Sequence, residues 1–162
     1  MFTRGATAAE AQLIEGGDKG GAGHGTPVGE PDPATRPETG SRPCILLVED
    51  DFLVGMEVET GLREAGYEVA GIAATAEEAV ELAERRRPAL VVMDIRLASD
   101  RDGVDAALEI YRTLGIRSIF ASAHGDAQVR ARAEPAQPLG WVAKPYRVET
   151  LVKAVAEALG GM

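Results

Sequence analysis

From Cys44 onward the chain alternates short unbroken apolar runs with segments whose apolar residues recur every three or four positions. The runs are Cys44-Ile45-Leu46-Leu47-Val48, Leu90-Val91-Val92-Met93, Ile119-Phe120-Ala121 and Trp141-Val142-Ala143. A run apolar at every position has no face for water, so it belongs in a sheet covered on both sides, and such sheets are parallel. A fifth run, Tyr67 to Ala73, is less apolar and is expected nearer a sheet edge. Between the runs lie helical faces: Val54, Val58, Leu62 and Ala65; then Val104, Ala107, Leu108 and Tyr111; finally Val148, Leu151, Val152, Val155 and Leu159. Gly66 and Gly115 stand where helix-ending glycines belong. Thr75-Ala76-Glu77-Glu78 has the pattern of a capping box, opening a helix that ends before Pro88. Ala127 to Glu134 reads as a short helix cut off by Pro135 and Pro138. Five strands and five helices in strict alternation predict an α/β fold, a doubly wound five-stranded parallel sheet with right-handed crossovers.

This pattern covers residues 44–160, and residues 1–43 differ. They hold nine of the 19 glycines and five of the nine prolines, with almost no large apolar residue after Ile14. Such a composition cannot bury enough apolar surface to offset chain entropy and reads as a disordered leader. Residues 6–15 have the makings of a short helix stopped by Gly16-Gly17.

Net charge is −9, which argues against a primary role on nucleic acid or on an anionic membrane. No apolar run approaches the roughly 20 residues needed to span a bilayer. The N-terminus lacks the charged-then-apolar order of a secretory signal. The lone Cys44 has no partner for an internal disulfide or a metal site. These features fit a cytoplasmic protein. There is neither a phosphate-binding loop of the Gly-Lys-Ser/Thr type nor a Gly-x-Gly-x-x-Gly motif, so nucleotide binding is not indicated.

Four of the apolar runs stop at polar residues suited to phosphoryl chemistry: Glu49-Asp50-Asp51, Asp94, Ser122 and Lys144. Ligands of open parallel sheets collect beyond the carboxyl ends of the strands, so these four ends are expected to converge. Clustered carboxylates repel one another unless a cation lies among them. A divalent ion such as Mg²⁺ takes oxygen ligands, including one or two protein carboxylates. Carboxylates also accept phosphoryl groups, in a transfer that asks mainly for positioning and charge stabilisation. Lys144 would supply positive charge to one phosphoryl oxygen and Ser122 a hydroxyl to another. Asp51, one residue further, reads as the start of a helix.

Taken together, Val48-Glu49-Asp50-Asp51, Met93-Asp94, Asp102-Gly103, Ala121-Ser122-Ala123 and Lys144-Pro145 resemble the receiver domain of two-component response regulators. The spacings agree, with 44 residues from Asp50 to Asp94, 28 on to Ser122 and 22 more to Lys144. The resemblance implies a flavodoxin-like (βα)5 receiver fold with Asp94 as the phosphoacceptor. It implies Mg²⁺ or Mn²⁺ held by Asp50, Asp94, the backbone carbonyl of Arg96 and Glu49, the last close by or through water. Ser122 and Lys144 would bind the phosphoryl group, and Ser122 and Trp141 would form the conformational switch. The donor would be a sensor histidine kinase or a histidine phosphotransfer protein. The signal would pass by protein contacts to a downstream partner, from a monomer or a phosphorylation-dependent dimer, with no output domain after Gly161. Such a chain assists its own phosphorylation but is not a turnover enzyme. The Lys144-Pro145 bond is cis in many members of the family, although a cis X-Pro bond is improbable from sequence alone.

The chain also departs from the pattern. Ala98 stands where the family often has proline, and the loop Leu97 to Gly103 is longer than usual. Trp141 takes a position that is commonly Tyr or Phe, and both a switching and a purely packing role are open to it. Phe120-Ala121-Ser122, with Tyr146 after Lys144-Pro145, resembles an alphaproteobacterial single-domain subgroup whose motif begins Phe-Ala-Thr; Ala123-His124-Gly125 departs from it. Nothing around His124 suggests a phosphorelay histidine. Arg85-Arg86-Arg87 reads as a solvated helix end. Two other functions are open. One is a protein-binding module independent of phosphorylation. The other is an aspartate-nucleophile phosphatase, ranked last because Asp94-Ile95-Arg96 lacks the second acid.

Overall fold

Each apolar run becomes a strand and each periodic segment a helix in the computed structural model, which describes residues 40–123 and 126–162. The order is β1 (Cys44–Val48), α1 (Phe52–Glu64), β2 (Glu68–Ala73), α2 (Ala76–Arg86), β3 (Leu90–Asp94), α3 (Gly103–Leu114), β4 (Ser118–Ser122), α4 (Ala127–Ala133), β5 (Gly140–Ala143) and α5 (Val148–Gly160). The strands form one parallel sheet in the order β2-β1-β3-β4-β5. This is the doubly wound parallel sheet the alternation predicts, in the flavodoxin-like form the resemblance implies, with β2 at an edge as its weaker apolar character implies. The leader reading falls, up to residue 39, outside the described residues, as does His124.

Strand alternation divides the core into two layers. Ile45, Leu47, Leu90, Val92, Ile119 and Val142 pack with α1 and α5. Leu46, Val48, Val91, Met93 and Phe120 face the other way, onto α2, α3 and the end of α4. Both layers are built almost wholly from apolar side chains, as a sheet covered on both faces requires; the buried Ser118 at the start of β4 is the exception within the central strands before their polar ends. On the first face α1 and α5 approach closely, since a Cβ at Gly61 would lie 2.1 Å from a Val148 methyl.

Helix boundaries follow side-chain chemistry. Thr75 caps α2 by accepting from the Glu78 N–H at 3.1 Å. Glu78 does not return to the Thr75 N–H as a full capping box requires; its Oε2 accepts from the Ala74 N–H at 2.8 Å. Gly66 and Gly115 take positive φ, +94° and +70°, and end α1 and α3 as expected. The segment after α4 departs from expectation. Pro135 does not end the helical path outright but sits inside a 3₁₀ turn, Glu134–Ala136, near its start, where a missing N–H costs little. The Lys144–Pro145 bond is cis.

Candidate functional site

The same alternation decides which polar strand ends meet. Glu49 continues the side of β1 that carries Ile45 and Leu47, and its N–H extends the sheet by donating to the Ala73 carbonyl at 2.9 Å. Asp94 continues the side of β3 that carries Leu90 and Val92. Because Val48 pairs with Met93, the next positions along the two strands place Glu49 beside Asp94. Both are buried, at 8% and 6% exposure, an unusual place for two carboxylates.

Lys144 comes to them from the end of β5. Its N–H donates to the Ser122 carbonyl at 2.8 Å, which aligns the lysine with the strand ends. Its Nζ donates to Asp94 Oδ2 at 2.8 Å and to Glu49 Oε2 at 3.0 Å. The remaining oxygens are held by the backbone: Asp94 Oδ1 accepts from the Arg96 N–H at 3.2 Å, and Glu49 Oε1 from the Asp51 N–H at 3.1 Å. Burial pushes the Glu49 carboxyl above its ordinary value, against the opposing pull of Lys144 and the Asp51 N–H; the charge of Asp94 adds to the rise. Burial also works against the Lys144 ammonium, but its hydrogen bonds to Asp94 and Glu49 outweigh that and hold it above its ordinary value.

Asp50 completes the group from the exposed side. One oxygen from each of Glu49, Asp50 and Asp94 lies within 4.8 Å of the others. Three carboxylates facing one ammonium leave a surplus of two negative charges. A divalent cation matches that surplus, and an all-oxygen donor set suits a hard ion such as Mg²⁺. The acidic group can therefore hold a metal. Asp51 plays a different part, capping α1 by accepting from the Leu53 and Val54 N–H groups at 3.0 and 3.3 Å. The carboxylates open onto a cleft of about 790 Å³ whose wall includes Arg96, Ser122, Asp126 and Val129. All four polar strand ends thus border one cleft.

Trp141 lies outside the cleft wall, on the α4 side of β5. Its ring stacks on Phe120 with centroids 4.8 Å apart and planes at 21°, and the Arg130 guanidinium lies over it, 4.7 Å from the ring centre. The altered loop is well tied down. Ala98 N–H donates to the Ala74 carbonyl at 3.3 Å, and the Ser99 hydroxyl donates to the Arg101 carbonyl at 2.7 Å while accepting from the Ala76 N–H at 3.3 Å. Arg101 pairs with Glu109 and, at 3.9 Å, with Glu77. Three residues here, Asp105, Arg130 and Arg132, are not among those the sequence points to. Asp102 and Asp105 form a reciprocal capping box at the start of α3, detectable in principle as acids three positions apart before an apolar face. Arg130 and Arg132 carry no local signal, because their partners lie in other elements.

The fold and the acidic strand-end site define a class, and comparison with known proteins gives the same one. Residues 45–156 match the family model of the response regulator receiver domain, and the chain belongs to that family. It is 36% identical over 115 residues to the transcriptional regulatory protein PdtaR of Mycobacterium tuberculosis, covering 71% of this chain and 56% of that protein. It is 33% identical over 116 residues to the phyllosphere-induced regulator PhyR of Methylorubrum extorquens, covering 71% of this chain and 43% of that protein. The chain thus spans about half the length of these relatives. Among solved structures, the signal receiver domain of a modulated diguanylate cyclase from Desulfovibrio desulfuricans is similar, with a TM-score of 0.68, 32% identity and coverage of 74% of this chain and 95% of that one. Receiver domains are signalling modules rather than turnover enzymes. No helix among the described residues is long and apolar enough to cross a membrane.

Proposed function

We propose that this chain is a phosphoacceptor receiver of a two-component phosphorelay, with Asp94 as the residue phosphorylated. We take residues 44–160 as the receiver unit and 1–43 as its leader. The observation that carries the reading is the buried Asp94 carboxylate at the end of a central strand, 2.8 Å from the Lys144 ammonium and grouped with Glu49 and Asp50. In the transfer, an Asp94 oxygen forms a bond to phosphorus while the bond from phosphorus to the donor's histidine nitrogen breaks, its electron pair staying on that nitrogen. Lys144 then turns from the carboxylate to a phosphoryl oxygen, and the Ser122 hydroxyl donates to another.

Glu49, Asp50, Asp94 and the Arg96 carbonyl are the residues that would hold Mg²⁺ or Mn²⁺. A cation bound there supplies charge neutralisation for the phosphoryl oxygens. The donor is a histidine kinase or a histidine phosphotransfer protein. Phe52, Leu53 and Met56 support docking of such a protein beside the cleft, since these large apolar residues are exposed on the first two turns of α1.

Incubation with acetyl phosphate and Mg²⁺, or with a phosphorylated kinase, should label the wild-type chain on an acid-stable, base-labile linkage and leave Asp94→Asn unlabelled. Equal labelling of both would overturn the assignment of Asp94. A downstream partner that binds wild type and Asp94→Ala alike would favour the phosphorylation-independent module instead.

A further inference from the structure

Helix α4 has seven residues and a single buried side chain, Ala133. Val129 adds a partly buried contact with the core, and two arginines fasten the helix further. Arg132 donates from Nη1 to Asp102 Oδ2 at 2.8 Å and from Nη2 to Asp102 Oδ1 at 3.2 Å and Asp105 Oδ1 at 3.3 Å, fastening the helix to the start of α3. Arg130 fastens it to the sheet, lying 4.7 Å above the centre of the Trp141 ring. Behind that ring is Phe120, stacked at 4.8 Å and fully buried. The two aromatic residues are direct partners across β4 and β5. Phe120 lies two residues before Ser122, and Trp141 three before Lys144. The stack therefore joins both phosphoryl-facing strand ends to α4. Asp126 and Val129 in turn line the same cleft as Asp94. A group added to Asp94 shares its space with the first turn of the helix that Arg130 holds.

We infer that Arg130 is a positioning residue for the switch, holding the Trp141 ring against Phe120, and α4 against β5, while Asp94 is unmodified. The inference rests on the receiver reading of Asp94. Its physical basis is the different partners of the two arginines. Arg132 binds α3, and that contact survives a pivot of α4 about its C-terminal end. Arg130 binds the sheet, and the attraction between a cation and an aromatic face fades once the charge is more than about 6 Å from the ring. Any displacement of α4 from β5, or rotation of the indole, breaks the Arg130 contact first. The contact therefore favours the unmodified arrangement alone, and its loss moves the population toward the other. An exposed cation over a partly buried ring such as Trp141 shifts such an equilibrium by about 2- to 5-fold.

The test is calorimetric titration of the full chain with beryllofluoride in the presence of Mg²⁺, beryllofluoride serving as the phosphoryl mimic. Arg130→Gln should bind it about 2- to 5-fold more tightly than wild type. Arg130→Lys, which keeps a cation, should lie closer to wild type. The gain should vanish when Arg130→Gln is made in a Trp141→Leu background. Trp141 is the chain's one tryptophan, so its emission should shift in unliganded Arg130→Gln and not in Arg130→Lys. Unchanged or weaker binding by Arg130→Gln overturns the inference, as does a gain of equal size without the indole. Because Arg130 is exposed, its two variants and the emission shift decide the matter even where Trp141→Leu lowers stability. If wild type fails to bind beryllofluoride, the reading of Asp94 falls and the inference with it. If wild type binds and Arg130→Gln matches it, the inference alone fails.

Discussion

Gly103 shows how tightly one residue can hold the chemistry in place. Its N–H donates to the Ile95 carbonyl at 2.8 Å, which lays the first turn of α3 on the backbone of Asp94. A Cβ at this position would lie 1.9 Å from the Asp94 carbonyl oxygen and 3.0 Å from Met93 Cγ. Neither neighbour yields easily, because Met93 is fully buried and the Asp94 backbone is part of the sheet. Gly103→Ala should therefore cost about 1–3 kcal/mol of stability. It should also weaken Mg²⁺ binding, since the backbone displaced is that of Asp94. Urea denaturation and a Mg²⁺ titration measure the two effects separately. Lost stability with unchanged Mg²⁺ affinity would show that α3 moves instead of Asp94. The glycine is plain in the sequence, but its reason is not, because the oxygen it would strike lies nine positions away on another element.

At the level of elements, the α3–α4 connection is electrostatic and should respond to pH. Burial alone would raise the Asp102 carboxyl; the Arg132 hydrogen bond and the Asp105 N–H outweigh it and hold Asp102 below its ordinary value. A carboxyl depressed in the folded state adds stability at pH values above the unfolded value, about 3.9, and that stability is lost as pH falls through the folded value. Asp102→Asn isolates the charge, because asparagine caps a helix about as well as aspartate. Wild type should exceed this variant by no more than about 1 kcal/mol at pH 7, as the pair is half-exposed and screened. The gap should close as pH drops below about 4. Urea melts at pH 7 and pH 3 check this, and a gap that persists at pH 3 would assign the effect to the cap. The sequence foretold α4 itself but not what holds it, since the arginine and its two acids are some 30 residues apart.

For the molecule as a whole, the proposed phosphoacceptor site is a region where function would oppose stability. Glu49, Asp50 and Asp94 crowd together with one ammonium, held by Glu49 and Asp94, among them, and two of the three carboxylates are buried. Asp50→Asn removes one of the surplus charges at the exposed edge. It should melt higher than wild type in EDTA and gain less from Mg²⁺. Wild type should gain about 2.7 kcal/mol at one hundred times its dissociation constant for the ion. Thermal melts of both proteins with and without Mg²⁺ provide the check. A variant that melts lower in EDTA would show that Asp50 contributes to the fold by something other than charge.

By itself the sequence determined the strands, the helices and most of their ends. Continuous apolar runs, three-to-four spacing and caps such as Asp51 and Thr75 act within windows of a few residues. It also determined the order of acid, acid, hydroxyl and ammonium along the chain. The tertiary structure alone decided that β1 lies between β2 and β3, which is what sets Glu49 beside Asp94. It also decided that Lys144 reaches both carboxylates, and that Arg130 covers Trp141 while Arg132 grips α3. Strand order and cross-element pairs arise from packing both faces of the sheet at once, and no local window of residues records that outcome.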